Sequence, residues 1–469
     1  MASPATKPIN LSVGCPSPSL FPSNHLLQGA SSVVHAGNKC ADALVYGPDA
    51  GYAPLRARIA TWLRDVYRPD EEDNDAVSAE RICITSGASA NLANILAKFT
   101  EPGYTRAIWM VEPCYFLACP IFTDAGFEGR LHGVPEDEQG LNIDFLRSAL
   151  EGMEGDGGRQ QHPSRPTLKT HQRYPKLYKH VIYAVPTFSN PSGKTMSLRR
   201  RRQLVRLARE YDALVVTDDV YDVLRWPEQP RATSSELGPV PPRIVDVDRL
   251  LDGGPKETWG NAVSNGSFSK LIAPGVRTGW AEGTPSFALA LSTVGATRSG
   301  GSPSHFTASL VDEMMASGSF QAHLENEIIP TYRSRYNAMR DAINTHLIPL
   351  GFKELPSLPY EFSQVDDAAV HPPPHAVAAG GFFTYLTLPS DLPLSVTYFA
   401  ARALDKYNLK VAMGTNMVVE GDQASKERAD AGFGNGIRLC WAWHTSDDIV
   451  EGIKRLEALV REVRDGAQV

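Results

Sequence analysis

The chain has 469 residues, 42% hydrophobic and 21% charged, the balance of a folded protein with room for two or three domains. The formal net charge of −7 argues against nucleic acid as a partner, and no stretch approaches the roughly 18 consecutive apolar residues of a membrane span. The start, MASPATKPIN, lacks the apolar core of a secretory signal, and six scattered cysteines without a CxxC pair read as reduced thiols of a cytoplasmic protein.

β-branched runs alternate with helical patterns through the middle of the chain, which predicts an α/β core with a mostly parallel sheet. Residues 81–99, RICITSGASANLANILAKF, read as strand, tight turn and helix, and 106–116 as strand and loop. Residues 179–193 are a strand ending in SNPSG. Residues 197–212 are a helix with Ser197 as N-cap and Leu204, Leu207, Ala208 and Tyr211 on one face. Its basic run, Arg199–Arg202, reads as a solvated face. Residues 213–224, ALVVTDDVYDVL, are a strand running into two aspartates, and 261–270 another short strand. A helical pattern over 331–347 opens a smaller α+β unit. Three segments look like inserts or surface loops: 151–180, 366–381 and 420–436, the last long enough to cap a pocket.

In an open parallel sheet, ligands sit beyond the carboxyl ends of the strands. Here those ends carry Ser86 to Ser89, Tyr115, Asn190, Asp218 with Tyr221, and Lys270. The TSGAS turn suits a phosphate at a helix start, or is a plain capped helix. Lys270 stands alone among Ser, Asn and Gly, as a Schiff-base lysine in a partly desolvated pocket would, or as an exposed loop lysine would. Arg277 lies seven positions on, where it could share an anion with Ser267 and Ser269. A carboxylate at the end of a buried strand, Asp218, needs a cation: a protonated pyridine nitrogen is one, and a metal ion on the adjacent Asp218 and Asp219 is another. Asn190, fixed before a proline, can offer its amide to a ligand oxygen or can simply make a turn.

Together and in this order the motifs SFSKLIAPGVRTGW, VVTDDVY, NPSG and YGPDAGYAPLRARIATWL resemble the fold-type I pyridoxal phosphate enzymes of the class I/II aminotransferase family. The resemblance runs from INLSVGCPSPSLFP (9–22) to IRLCWAWHTSDDI (437–449). It implies an aspartate-aminotransferase-like fold: an N-terminal arm (1–44), a large cofactor domain (45–330) and a small domain (331–469). It also implies pyridoxal 5'-phosphate held as an aldimine on Lys270, which then moves a proton at the substrate Cα. Asp218 would pair with the ring nitrogen, and Asn190 and Tyr221 would bond its phenolic oxygen. Tyr115 would stack on the ring. Ala88, Ser89, Ser267, Ser269 and Arg277 would hold the phosphate, with Tyr46 reaching it from the second subunit of a homodimer. Arg438 would clamp the substrate carboxylate, beside Gly14 and Asn190.

The implied activity is ping-pong amino transfer between an L-amino acid and a 2-oxo acid, with no metal. A lyase, decarboxylase or cyclase of the aminocyclopropane-carboxylate synthase type would share the cofactor residues. A transcriptional regulator built on the same scaffold would need a DNA-binding domain before the family pattern, which begins at about Ile9. Three further expectations concern the rim. Arg298 reads as a surface residue, Trp443 and His444 as core, and Ala88 as a departure from the hydroxyl or amide usual at its position. An aromatic or large aliphatic substrate suits Tyr115, Phe116 and Trp441.

Overall fold

Nearly continuous apolar runs, buried on both faces, build the larger of two main sheets. A computed structural model describes residues 7–67, 77–155, 165–166, 168–169, 172–301, 304–357, 360 and 376–466. Eight strands, β1 (Ile82–Thr85), β2 (Ala107–Glu112), β3 (Leu131–Asp137), β4 (Gly140–Leu141), β5 (His180–Ala184), β6 (Ala213–Asp218), β7 (Ala262–Ser267) and β8 (Gly279–Glu282), lie in the order β1-β8-β7-β6-β5-β2-β3-β4. From β7 to β3 all neighbours are parallel. β8 runs antiparallel between β1 and β7, and β4 antiparallel to β3.

Both faces are covered, so the strands are apolar on both sides. Val181, Tyr183, Leu214, Val216 and Val263 pack with Leu92, Ile95 and Phe99 of α1 (Ala88–Phe99). Ile182, Ala184, Val215 and Ala262 face the opposite way, onto Leu204, Leu207 and Ala208 of α2 (Leu198–Glu210). The alternation continues past the strand ends. Asp218 and Asn265, paired in register, follow Val216 and Val263 to the α1 side, and Asp219 follows Thr217 to the other.

The four-stranded antiparallel sheet comes from the C-terminal part: β9 (Lys353–Glu354), β10 (Phe383–Thr387), β11 (Ala412–Met413) and β12 (Gly436–Cys440), in the order β9-β10-β12-β11. The N-terminal segment joins this part of the fold. Ile9–Asn10 pairs parallel with Leu409–Lys410, and Lys7 forms an ion pair with Asp448 at 2.7 Å.

The strand and helix expectations for 81–99, 106–112, 180–184, 198–210, 213–218 and 262–267 hold, and the Ser197 hydroxyl accepts the Arg200 N–H as the N-cap. β3 and β8 carry no strand signature that the sequence reading used: β3 contains Gly133 and Pro135 next to the sheet edge, and β8 is four residues long.

Four expectations need correction. Arg199 is exposed, but Arg200 and Arg201 are not a solvated face. Arg201 is fully buried and donates to the carbonyls of Met196, Pro242 and Pro186 and to the Thr187 hydroxyl. Segment 420–436 is not a loop: it contains α3 (Gln423–Ala431). Trp443 and His444 are half-buried rather than core, and His444 Nε2 accepts the Asn10 N–H at 2.9 Å. Of the two remaining inserts, 151–155 ends a helix, 376–381 contains a strand (Ala378–Gly380) paired with Arg225–Pro227, and 156–164 and 366–375 lie outside the described residues.

Candidate active site

Lys270 follows β7 by three residues and is partly buried. Its Nζ donates to the Gly14 carbonyl at 2.6 Å and sits 5.5 Å from the centre of the Phe382 ring. Burial holds the ammonium below its ordinary value. The Cys15 and Cys440 thiols and the Asp218 carboxylate pull it back, and Arg438 depresses it further.

Asp218 ends β6. Its Oδ2 accepts the Tyr183 hydroxyl at 2.6 Å and its Oδ1 accepts the Asn265 amide at 2.8 Å. Burial pushes its carboxyl up to about 6, against the pull of those two bonds and of Lys270. No cation is bonded to it among the described residues, although such a group in low dielectric calls for one.

Arg438 lies in β12 and is 6% exposed. It donates to Asn190 Oδ1 and to the Ser12 carbonyl, each at 2.7 Å, and its guanidinium lies 4.2 Å from the centre of the Phe383 ring. Its Nε is buried without a partner, and among the described residues no carboxylate pairs with it. Burial holds it below the ordinary arginine value. A buried guanidinium bonded only to neutral oxygens is a site for an anion. A Cβ on Gly14 would sit 2.9 Å from the tip of the Phe383 ring, so glycine lets this ring close onto the segment.

The third cluster has the chemistry of an anion cradle. α1 starts after Gly87 with no side-chain cap, so its first N–H groups remain free for a ligand. Gly87 has φ 92°, and a Cβ there would lie 2.9 Å from Arg277 Nη2. Arg277 is exposed, with its own backbone left-handed at φ 46°, and donates to the Ser86 carbonyl at 2.8 Å. The Ser267 hydroxyl lies 3.0 Å from that of Ser269 and accepts the Ser269 N–H. Ser267 and Thr85 flank Gly279 across β8, so one end of the sheet gathers these groups. Ser89 is exposed in the first turn and Ala88 adds only backbone.

Tyr115 is half-buried, and burial, aided by the Asp218 charge, pushes its phenol up to about 12. Tyr221 is buried with its ring 5.2 Å from that of Phe382. Tyr46 stands apart, 86% exposed on the outside of the chain. Arg298 is exposed. Thus Lys270, Asp218, Arg438, Asn190, Gly14, Tyr115 and Tyr221 surround one centre, with the cradle at the same sheet end and Tyr46 outside. The sequence reading passed over Tyr183 and Asn265. Both lie inside strand patterns, and only cross-strand register brings them to Asp218.

The arrangement fits pyridoxal phosphate on its chemistry. An uncapped helix start with an arginine and two hydroxyls suits a phosphate, a lone buried carboxylate suits a pyridinium, and a lone buried guanidinium suits an amino acid carboxylate.

Residues 6–361 match the family model for aminotransferase class I and II. The uncharacterized protein YER152C of Saccharomyces cerevisiae is 34% identical, covering 97% of each chain. Aromatic-amino-acid aminotransferase 1 of Thermococcus litoralis is 26% identical over 97% of this chain and 88% of its own. The crystal structure of a Pyrococcus horikoshii kynurenine aminotransferase in complex with PMP is 26% identical, covers 98% of this chain and 92% of its own, and superposes with a TM-score of 0.71. The chain belongs to the class I and II aminotransferase family and is a pyridoxal-phosphate-dependent aminotransferase of the aspartate-aminotransferase-like fold.

Proposed function

We propose that Lys270 anchors the cofactor and that Arg438 selects the α-carboxylate of an aromatic or large aliphatic L-amino acid, with a 2-oxo acid as acceptor in a ping-pong cycle. The observation that carries this reading is the buried Arg438 guanidinium, bonded only to neutral oxygens beside Lys270. Pyridoxal phosphate, when bound, supplies an electron sink for the substrate Cα. Lys270 Nζ, with its ammonium disfavoured by burial, takes and returns the Cα proton. Asp218 would hold a positive charge at the ring nitrogen. Asn190 and Tyr221 would hold the phenolic oxygen, and Tyr115 would lie against the ring. Ala88, Ser89, Ser267, Ser269 and Arg277 would hold the phosphate. Rings of Tyr115, Tyr221, Phe382 and Phe383 near Lys270 and Arg438 support an apolar substrate side chain. The names of the Thermococcus and Pyrococcus relatives point the same way.

The proposal includes a homodimer, with Tyr46 entering the partner's phosphate site. Tyr46, Val45, Leu44, Leu27, Val34 and Phe306 are exposed apolar groups on or beside three helices that pack together (Ser23–His35, Asn38–Leu44, His305–Ala316), which supports cover by a second copy. The pairing of Ile9–Asn10 with Leu409–Lys410 supports the division into arm (1–44), large domain (45–330) and small domain (331–469). Six free cysteines suit a reducing compartment such as the cytoplasm. Among the described residues no helix is long and apolar enough to cross a membrane.

The test is a single turnover. Cofactor-loaded protein is mixed with L-amino acids, without an acceptor, and products are identified by mass spectrometry. One equivalent of 2-oxo acid per site is expected, from aromatic or large aliphatic donors. Continued product formation without an acceptor would overturn amino transfer in favour of a lyase, decarboxylase or cyclase.

A further inference from the structure

The two groups that hold Asp218 are both neutral donors, and each is itself locked in place. Tyr183 donates to Oδ2 from the adjacent strand β5, with its ring edge-on to Phe122 at 5.8 Å. Asn265 donates to Oδ1 from β7 on the other side, and the same amide nitrogen donates to the Ala88 carbonyl at 3.0 Å. Asn265 Oδ1 accepts the Asn91 amide at 2.9 Å. The orientation of the Asn265 amide is therefore forced, since its nitrogen meets two acceptors and its oxygen meets a donor. Asp218, Asn265 and Asn91 thus form a chain from the ring-facing carboxylate to the first turns of α1. The other titratable groups facing this carboxylate are Lys270, Tyr115 and Tyr221.

A carboxylate facing a ring nitrogen can keep the proton on the ring or take it. Which happens depends on how strong a base the carboxylate is. A donor on each oxygen stabilises the ionised form and weakens it as a base. Burial acts in the opposite sense, and without the donors it would favour the neutral acid. We propose that Tyr183 and Asn265 are positioning residues that keep Asp218 ionised, so that the shared proton stays on the cofactor's ring nitrogen rather than passing to the carboxylate. The inference rests on Asp218 facing that nitrogen.

The test is the nitrogen-15 resonance of holoenzyme loaded with ring-labelled pyridoxal phosphate. Wild type is expected to show a protonated ring nitrogen, and Tyr183→Phe a resonance displaced toward the neutral position. Amino-acid deamination should slow about tenfold, as loss of a hydrogen bond to a charged group predicts, while donor affinity stays unchanged. Asn265→Ala should displace the resonance in the same direction, and it stands in where Tyr183→Phe does not fold. Asp218→Asn separates the two ways of failing. If it leaves the resonance in place, Asp218 does not face the ring nitrogen and the site reading falls. If it moves the resonance and neither donor variant does, this inference alone falls. A neutral ring nitrogen in wild type overturns it without any variant.

Discussion

Arg438 Nη1 donates to Asn190 Oδ1 at 2.7 Å across 248 positions of the chain. The bond ties β12 of the smaller sheet to the turn after β5 of the larger one. One residue proposed for the substrate carboxylate thereby orients the amide of another, and the second bond, to the Ser12 carbonyl, adds the N-terminal segment. Arg438→Lys keeps a positive charge but loses the planar fork that reaches both oxygens. Losing a hydrogen bond to a charged group costs about 1.5–3 kcal/mol, so the donor's apparent Kd should rise roughly 10- to 100-fold. The dependence of the half-reaction rate on donor concentration measures it. An unchanged constant in Arg438→Lys would remove Arg438 from substrate binding.

Gly87 has φ 92°, and its missing Cβ leaves room for Arg277 Nη2. Gly87→Ala is expected to destabilise the fold by about 1–3 kcal/mol through backbone strain and to weaken cofactor binding by displacing Arg277. Gly152→Ala is the control. Gly152 lies in the helix Ile143–Gly155 with open space around it, so alanine there should stabilise by about 0.5–1 kcal/mol. Thermal melts and cofactor titrations of both variants check the pair, and equal behaviour would refute the cradle.

The residues legible in the sequence are those at strand ends in short motifs. Lys270, Asp218 and Asn190 each stand where a β pattern stops, and Arg277 follows in the same motif as Lys270, ahead of β8. Tyr183 and Asn265 were hidden because each sits within a strand, where side-chain alternation explains it equally well as packing. Arg201 misled for the converse reason. Four consecutive arginines suggest solvent, but three carbonyls and a hydroxyl take up the guanidinium of one of them under the 186–196 turn. The helix within 420–436 looked like a loop because its core-facing side carries only Ser425, Ala429 and an ion pair, with no large apolar residue.

That ion pair gives the third prediction. Glu112, at the end of β2 and fully buried, accepts from Arg428 Nε and from the Ser425 hydroxyl, the latter at 2.6 Å. Arg428 also donates to the Gly133 carbonyl, and Asp422 accepts the Gly133 N–H. α3 is thereby fastened to the end of β2, three residues before Tyr115, and to Gly133 within β3. Arg428→Met leaves a buried carboxylate with one neutral donor and should destabilise by roughly 3 kcal/mol, the lower end for breaking a buried pair because Arg428 is partly exposed. Adding Glu112→Gln should recover much of the loss. Urea unfolding of the single and double variants reads both, and additive losses would mean that the two side chains are not coupled.

The last prediction concerns pH and the cofactor-stripped protein. The folded Asp218 carboxyl titrates at about 6, whereas an unfolded aspartate titrates at about 3.9. The folded state therefore holds this proton more tightly than the unfolded state. Asp218 accordingly lowers stability as pH rises from about 4 to about 6, and the loss persists above that. The loss is on the order of 2–3 kcal/mol before solvent screening. Asp218→Asn carries no charge and can still be satisfied, its oxygen facing the Asn265 amide and its own amide donating to the Tyr183 hydroxyl. Any packing cost of the substitution is the same at every pH, so the slope is the readout. Relative to wild type, the stripped Asn variant should gain stability between pH 4 and 6 and hold that gain at pH 7. With cofactor bound the sign should reverse, because a ring cation stabilises the carboxylate and nothing comparable stabilises the amide. Urea unfolding of both proteins, stripped and loaded, at a series of pH values separates these cases. Parallel profiles in the stripped proteins would mean that Asp218 is already ionised at its ordinary value, and the case for a buried anion awaiting a cation would fail.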